Sequence, residues 1–160
     1  MVFKIAEAIL SFDSMTNQKL QKLCYFSYAW YLTFFGEKLF EEKFEAWENG
    51  PVCPELHKKY ERYDRMLIPR VNRKLETIID QKEIQEFLQA VYDAHGNLKE
   101  EELIHLACSE EPWIKALQRK NNEEPFTYMD DDIIHWNTKK VLRELNRENI
   151  SVVYTISKQL

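Results

Sequence analysis

The fold is decided by MTNQKLQKLCYFSYAWYLTFFG, residues 15–36. The hydroxyl of Thr16 can cap the N-terminus of a helix, and Gly36 stands where a helix C-terminus favours a left-handed residue. Between them, apolar side chains recur every three or four residues and also occupy almost every other face. A helix that is apolar all round is packed by neighbours on several sides. The stretch therefore predicts a central helix over residues 17–34.

Length and composition predict one globular domain over residues 1–160. Of these residues 44% are hydrophobic and 13% aromatic, enough for a core of their own. No apolar run reaches the roughly 18 to 20 residues of a membrane span, and the N-terminal MVFKIAEAIL carries Lys4 and Glu7 where a secretory signal is apolar. Three cysteines without a CxxC motif fit reduced thiols. We expect a cytoplasmic protein that does not associate with membranes.

The charge distribution argues against a nucleic-acid partner. The net charge is −5, so the molecule as a whole does not attract nucleic acid. The segment HKKYERYDR, residues 57–65, places Tyr60 and Tyr63 among basic residues, and such a pattern could bind a single strand. A solvated amphipathic helix with Tyr60 facing inward is the interpretation we favour.

The rest of the chain predicts a mainly α fold, a compact bundle of about six helices around the central one. Local start signals precede or open most of these helices, either a proline in the first turn or an acidic or amide cap residue. The start signals are Pro54, Asp80, Asn97, Pro112 and Asp130. The predicted helices span residues 2–11, 54–63, 81–95, 98–108, 110–119 and 131–145.

A small β element is expected beside the bundle. Phe40, Phe44 and Ala46 alternate with polar residues, a period typical of a short strand over residues 40–47. The C-terminal ISVVYTIS, residues 150–157, is also rich in β-branched residues. It would either fray or pair with the extended segment near residue 44.

The stretch EAWENGPVCPELHKKY, residues 45–60, contains a Gly-Pro pair in a chain with only 3 Gly and 5 Pro. We expect Gly50 and Pro51 to form a corner that turns the strand into the helix starting at Pro54, with Gly50 in a conformation that β-branched residues resist. Trp47 would anchor the corner and Val52 would enter the core. The corner could be architectural only or could also present a binding edge.

Catalytic and metal-binding patterns are weak. The scarcity of glycine leaves no GxGxxG, phosphate-binding loop or GxSxG elbow. Cys53-x3-His57 and His105-x2-Cys108 have spacings that could give Zn²⁺ two thiolates and two imidazoles, but buried small cysteines and surface histidines explain them as well. The acidic MDDD, residues 129–132, resembles a metal-binding loop only superficially, because acidic side chains are favourable at the N-terminus of a helix. We predict no catalytic residues, no metal and no cofactor, and keep a Cys/His-dependent regulator or enzyme as an alternative.

Two blocks of sequence resemble the Panacea-domain proteins, also called SocA-like antitoxins or phage-associated GepA-like proteins. One block runs from Met15 to Tyr60 and the other from Leu103 to Ala116. The resemblance covers residues 3–118, and the C-terminal helix and tail, residues 119–160, have no counterpart. Relatives typically carry Thr-His where this chain has Ala107 and Cys108. The matching motif residues are Lys19, Leu20, Lys22, Leu23, Tyr25, Trp47, Gly50, Pro51, Val52, Pro112 and Trp113.

The resemblance implies an antitoxin that binds its cognate toxin directly and is not an enzyme. In such systems the toxin is usually encoded by the adjacent gene, although other relatives occur alone or in phage genomes. A stand-alone phage-type modulator of a host protein is therefore the alternative function. Phe126 and Tyr128 stand out in a polar loop as candidate partner-binding residues. Both rings could instead fold back onto the core of the domain.

Overall fold

The computed structural model describes residues 1–120 and 126–146. It is 64% helical with a single small two-stranded sheet in the part described, which confirms the mainly α prediction. The helices are α1 (Val2–Leu10), α2 (Asn17–Phe35), α3 (Pro54–Tyr60), α4 (Leu75–Ile78), α5 (Lys82–His95), α6 (Glu100–Cys108), α7 (Glu111–Lys120) and α8 (Asp130–Asn146). The strands are β1 (Glu45–Trp47) and β2 (Gly50–Val52).

Helix α2 is central, as predicted. The Thr16 hydroxyl accepts a hydrogen bond from the Lys19 N–H at 3.2 Å, and Gly36 ends the helix in the left-handed conformation with φ of 68°. Every residue from Leu20 to Leu32 is buried. Helices α1, α3, α5, α6 and α8 all contact α2. The all-round apolar surface of α2 is therefore explained by neighbours on every side.

The helix starts near residues 80 and 97 are wrong by one to two positions. The N-cap residues of α5 and α6 are Gln81 and Lys99, not Asp80 and Asn97. At α6, the Lys99 N–H donates to the Glu102 carboxylate at 3.4 Å, so the box-like contact uses a glutamate two residues later than expected. The acidic first turn of α6 contains three consecutive glutamates, and the sequence pattern alone could not select among them.

The Gly50–Pro51 corner is a strand rather than a turn, which corrects the prediction. Strands β1 and β2 pair antiparallel with Trp47 opposite Gly50, and the chain turns at residues 48–49. Gly50 has φ of 106°, so the expected unusual backbone is confirmed. The strand predicted over residues 40–47 is shorter, since β1 begins only at Glu45, and the Phe40 and Phe44 rings before it both pack against Tyr28.

Residues 126–128 cover the free edge of β1. The Ala46 N–H donates to the Phe126 carbonyl, and the Tyr128 N–H donates to the Phe44 carbonyl, both at 2.9 Å. Thr127 forms the bridge opposite Glu45. An exposed strand edge invites pairing with other chains, and this segment satisfies it within the molecule. The β-prone residues 150–157 lie outside the described part of the chain.

The segment between α3 and α4 is held near its middle by backbone bonds. Ile68 and Met15 exchange two hydrogen bonds, at 2.7 and 3.3 Å. Upstream of this bridge, Asp64 has φ of 49° and ψ of −113°, an unusual conformation for a residue other than glycine. Within residues 1–120 and 126–146, no helix is long and apolar enough to cross a membrane.

Candidate functional site

Two buried polar side chains of α2 fasten the hairpin to the bundle, and the first is Gln21. Its amide group donates to the Cys53 carbonyl at 3.2 Å and accepts from the Cys53 N–H at 2.9 Å. Gln21 is only 1% exposed. This two-point bond satisfies the Cys53 N–H and adds a second donor to the Cys53 carbonyl, which also accepts from the His57 N–H of α3 at 2.9 Å. Sequence reasoning missed Gln21, although a glutamine on a helix that is apolar all round was a usable signal.

Lys22 is the second buried polar residue, and it lies against Gly50. Its ammonium group donates to the Gln18 side chain at 3.0 Å and to the Pro51 carbonyl at 3.4 Å. Burial lowers the lysine pKa to about 8, and nearby Cys108 and Glu100 oppose that shift. A Cβ atom added to Gly50 would lie 3.0 Å from Lys22 Cε. Position 50 therefore favours glycine, because a larger side chain would crowd the buried Lys22.

The start of α2 is joined to α5 and α6. The Lys19 ammonium donates to the Gly96 carbonyl at 2.7 Å, at the end of α5. The Thr16 hydroxyl donates to the Glu100 carboxylate at 2.5 Å, at the start of α6. Charge-assisted bonds of this kind hold three helix ends in one arrangement.

Two tryptophans connect the hairpin to α7. The Trp113 indole N–H donates to the Trp47 carbonyl at 2.9 Å, and the Trp47 indole N–H donates to the Glu45 carboxylate at 2.8 Å. The Trp47 ring packs edge-on against His57, with ring centroids 5.1 Å apart. Pro112, which precedes Trp113, is buried. Both indole donors are thus satisfied while their rings support the hairpin.

The motif residues predicted from the sequence fall into two groups in the structure. Leu20, Leu23, Tyr25 and Val52 are core residues, each at most 3% exposed. The others lie, together with Thr16 and Gln21, in one joint between α2, the hairpin, α6 and α7, which we call the hairpin joint. Its members are Thr16, Lys19, Gln21, Lys22, Trp47, Gly50, Pro51, Pro112 and Trp113. Their polar atoms bond mostly to backbone carbonyls and N–H groups, so the joint orients structural elements.

A partly buried ion pair attaches α8 to the rest of the bundle. The Lys140 ammonium contacts the Glu110 carboxylate at 3.0 Å, and Glu110 is 4% exposed. The same ammonium lies 5.5 Å from the centre of the Trp30 ring on α2. Breaking such a pair by removing one partner leaves an uncompensated buried charge. Glu110 belongs to the second block that resembles the family, whereas Lys140 lies among residues 119–160, which the resemblance does not cover.

The cysteines are not arranged for thiolate chemistry. Burial raises the pKa of Cys53 to about 12, and the Cys53 thiol donates to the Glu55 carboxylate at 3.3 Å. Burial also raises the pKa of Cys108. Thiolates, not thiols, bind metals and attack electrophiles. Within residues 1–120 and 126–146, no three His, Cys, Asp or Glu side chains lie close enough to hold a metal ion.

Phe126 and Tyr128 occupy different environments. Tyr128 is 7% exposed, and its ring packs edge-on against Tyr25 with centroids 5.0 Å apart. Its hydroxyl has no hydrogen-bond partner among the residues described. The Phe126 side chain is half-buried, and its carbonyl pairs with β1. For Tyr128, packing onto the core is what the structure favours, and the role of both residues in partner binding stays a prediction.

Comparison with known families gives one match. The family described as antitoxin SocA-like, Panacea domain, matches residues 20–114. The match begins in α2, includes the hairpin, α3, α5 and α6, and ends directly after Trp113. No curated protein and no solved structure shows significant similarity to the chain. Because the match covers more than half of the chain, the protein belongs to the antitoxin SocA-like family, which is defined by the Panacea domain.

Proposed function

We propose that this protein is an antitoxin that neutralises a cognate toxin by binding it directly, without catalysis. The observation that carries the proposal is the match of residues 20–114 to the antitoxin SocA-like family. Membership in that family implies a toxin as the partner. The encounter would take place in the cytoplasm, where the three free cysteines remain reduced.

The hairpin joint supports a binding role over a catalytic one. Its buried polar groups, Gln21 and Lys22, are already hydrogen-bonded within the protein, and its cysteine neighbours are held protonated. Such a joint provides a rigid frame for surfaces that contact a partner. A net charge of −5 suits a toxin with a basic surface, because complementary charge accelerates association and fixes orientation.

One contact surface that we propose lies around residues 126–132. Phe126 is half-buried and Met129 is 50% exposed, so apolar area borders the three aspartates that start α8. Aromatic and methionine side chains are enriched at the centres of interfaces. Residues 126–128 also pair with the edge of β1, so this surface is attached to the same hairpin that the hairpin joint fixes. We further propose that α8, which packs against α2, belongs with residues 1–120 to one domain.

Expression of the neighbouring gene tests the function. The product of an adjacent open reading frame should arrest growth when expressed alone and should be tolerated when co-expressed with this chain. The two proteins should also co-purify as a stable complex, for which an interface of about 1,200 to 2,000 Å² is sufficient. Absence of toxicity from either neighbour would refute the antitoxin proposal and favour a stand-alone modulator.

Alanine at Phe126 tests the surface separately from the function. The matched control is alanine at Phe3, which is 37% exposed and lies on α1. Circular dichroism should show the same fold for both variants. Loss of rescue by the Phe126 variant alone supports the proposed surface. Full rescue by both variants removes Phe126 from the interface and leaves the antitoxin role intact.

A further inference from the structure

A second surface beside the hairpin joint contains an unsatisfied buried acceptor. A groove of about 490 Å³ lies between the start of α2, the hairpin and the segment from α3 to the following loop. Asn17 lines it and is 6% exposed, and its side-chain amide oxygen has no hydrogen-bond partner among the residues described. A buried acceptor without a donor is costly. The Asn17 oxygen has almost no exposed surface, so the groups that face the open groove decide what it can bind.

The same groove carries an excess of negative charge. Glu61, Asp64 and Glu100 line it, opposed by one arginine, Arg65. Within the part of the chain that the structure describes, the Glu61 and Asp64 carboxylates have no ion-pair or hydrogen-bond partner. Glu100 accepts from the Thr16 hydroxyl, and Lys22 lies behind it and offsets part of its charge. The unpaired charge is thus concentrated at Glu61 and Asp64.

The groove also has an aromatic wall and an exposed apolar border. Trp47 and His57, packed edge-on, both line it. Directly after Asp64 and Arg65, the loop presents Met66 and Leu67, which are 71% and 59% exposed. Because the bridge between Met15 and Ile68 fixes the loop next to these residues, their exposure belongs to an ordered surface. Aromatic rings beside carboxylates suit a cationic side chain, which can meet both.

We propose that this groove receives a lysine or arginine side chain presented by the partner protein. The cation would pair with Glu61 and Asp64 and lie against the Trp47 ring. Since the described residues hold no cluster able to bind a metal ion, a side-chain cation is the occupant that fits these groups. The inference rests on the proposed function, because it names a surface through which the toxin is held.

The test is a charge change in the groove with a matched change elsewhere. Glu61→Lys with Asp64→Asn raises the charge by three, and asparagine tolerates the positive φ of position 64. The control, Glu37→Lys with Asp93→Asn, makes the same change at exposed positions outside the groove. We expect the groove variant to weaken binding of the neighbouring toxin about tenfold or more, and the control to leave it within about twofold.

A charge reversal in the partner completes the experiment. If one lysine or arginine of the toxin enters the groove, its replacement by glutamate should weaken binding to the wild-type chain and restore binding to the groove variant. Equal binding by the wild-type chain and the groove variant, with neutralisation intact, would overturn the groove proposal and leave the antitoxin function standing. Failure of the wild-type chain itself to bind or neutralise either neighbour would instead refute the proposed function, and the groove proposal with it.

Discussion

Alanine at Gly50 is the most direct test of the hairpin joint. The φ of 106° at this position is one that L-residues rarely adopt, and holding a non-glycine residue there costs about 1 to 3 kcal/mol. The new Cβ would also lie 3.0 Å from Lys22 Cε and 3.5 Å from the Ala107 Cβ. The first distance is shorter than an ordinary contact, so the lysine side chain has to move.

That movement adds a second penalty. The Lys22 ammonium is held by the Gln18 side chain and by the Pro51 carbonyl at 3.4 Å, and a shift weakens these bonds inside a buried site. Weakening one hydrogen bond to a buried charged group costs about 1 to 2 kcal/mol. The total expected loss in the free energy of unfolding is therefore about 2 to 5 kcal/mol for Gly50→Ala.

Gly36 provides the matched control. Its φ is 68°, also left-handed, but a Cβ added there would meet no atom within 4 Å. Gly36→Ala should therefore cost only the backbone term, about 1 to 2 kcal/mol. Urea unfolding followed by circular dichroism at 222 nm gives both values under the same conditions. A loss for Gly50→Ala no larger than that for Gly36→Ala would refute the steric coupling between Gly50 and Lys22.

Three further predictions concern single side chains. Gln21→Ala should lower the free energy of unfolding by about 1 to 3 kcal/mol, because it leaves the buried Cys53 N–H without an acceptor. By the same urea assay, Gln89→Ala on an exposed face should cost less than about 0.5 kcal/mol. Tyr128→Phe should leave the free energy of unfolding unchanged or raise it by up to about 1 kcal/mol, because the hydroxyl it removes has no partner among the described residues. A clear loss of stability would mean that the hydroxyl makes a stabilising hydrogen bond. Burial lowers the pKa of His95 to about 4. The folded protein therefore favours the neutral imidazole, and the free energy of unfolding should be highest above pH 6.5 and fall by up to about 3 kcal/mol as the pH drops toward 4. His95→Leu should flatten stability over this pH range relative to wild type, and an identical pH profile would contradict the assignment.

Local rules in the sequence were sufficient for the central helix and for its position in the fold. Thr16 and Gly36 mark its ends through contacts with residues three or four positions away, so a single stretch contains all the information needed. Apolar residues on every face of that helix imply neighbours on every side, whichever elements those neighbours are. The unusual backbone at Gly50 was likewise predictable from residue type, because glycine before proline marks a restricted position.

Tertiary structure alone decided which residues the hairpin joint brings together. Lys22 and Gly50 lie 28 positions apart, and nothing local shows that the lysine is buried or that its methylene groups require a glycine opposite. Tyr128 reached the core because residues 126–128 pair with the edge of β1, 80 or more positions earlier. Helix caps and periodicity act over a few residues, whereas the burial of a polar or aromatic side chain depends on which distant backbone offers it a partner.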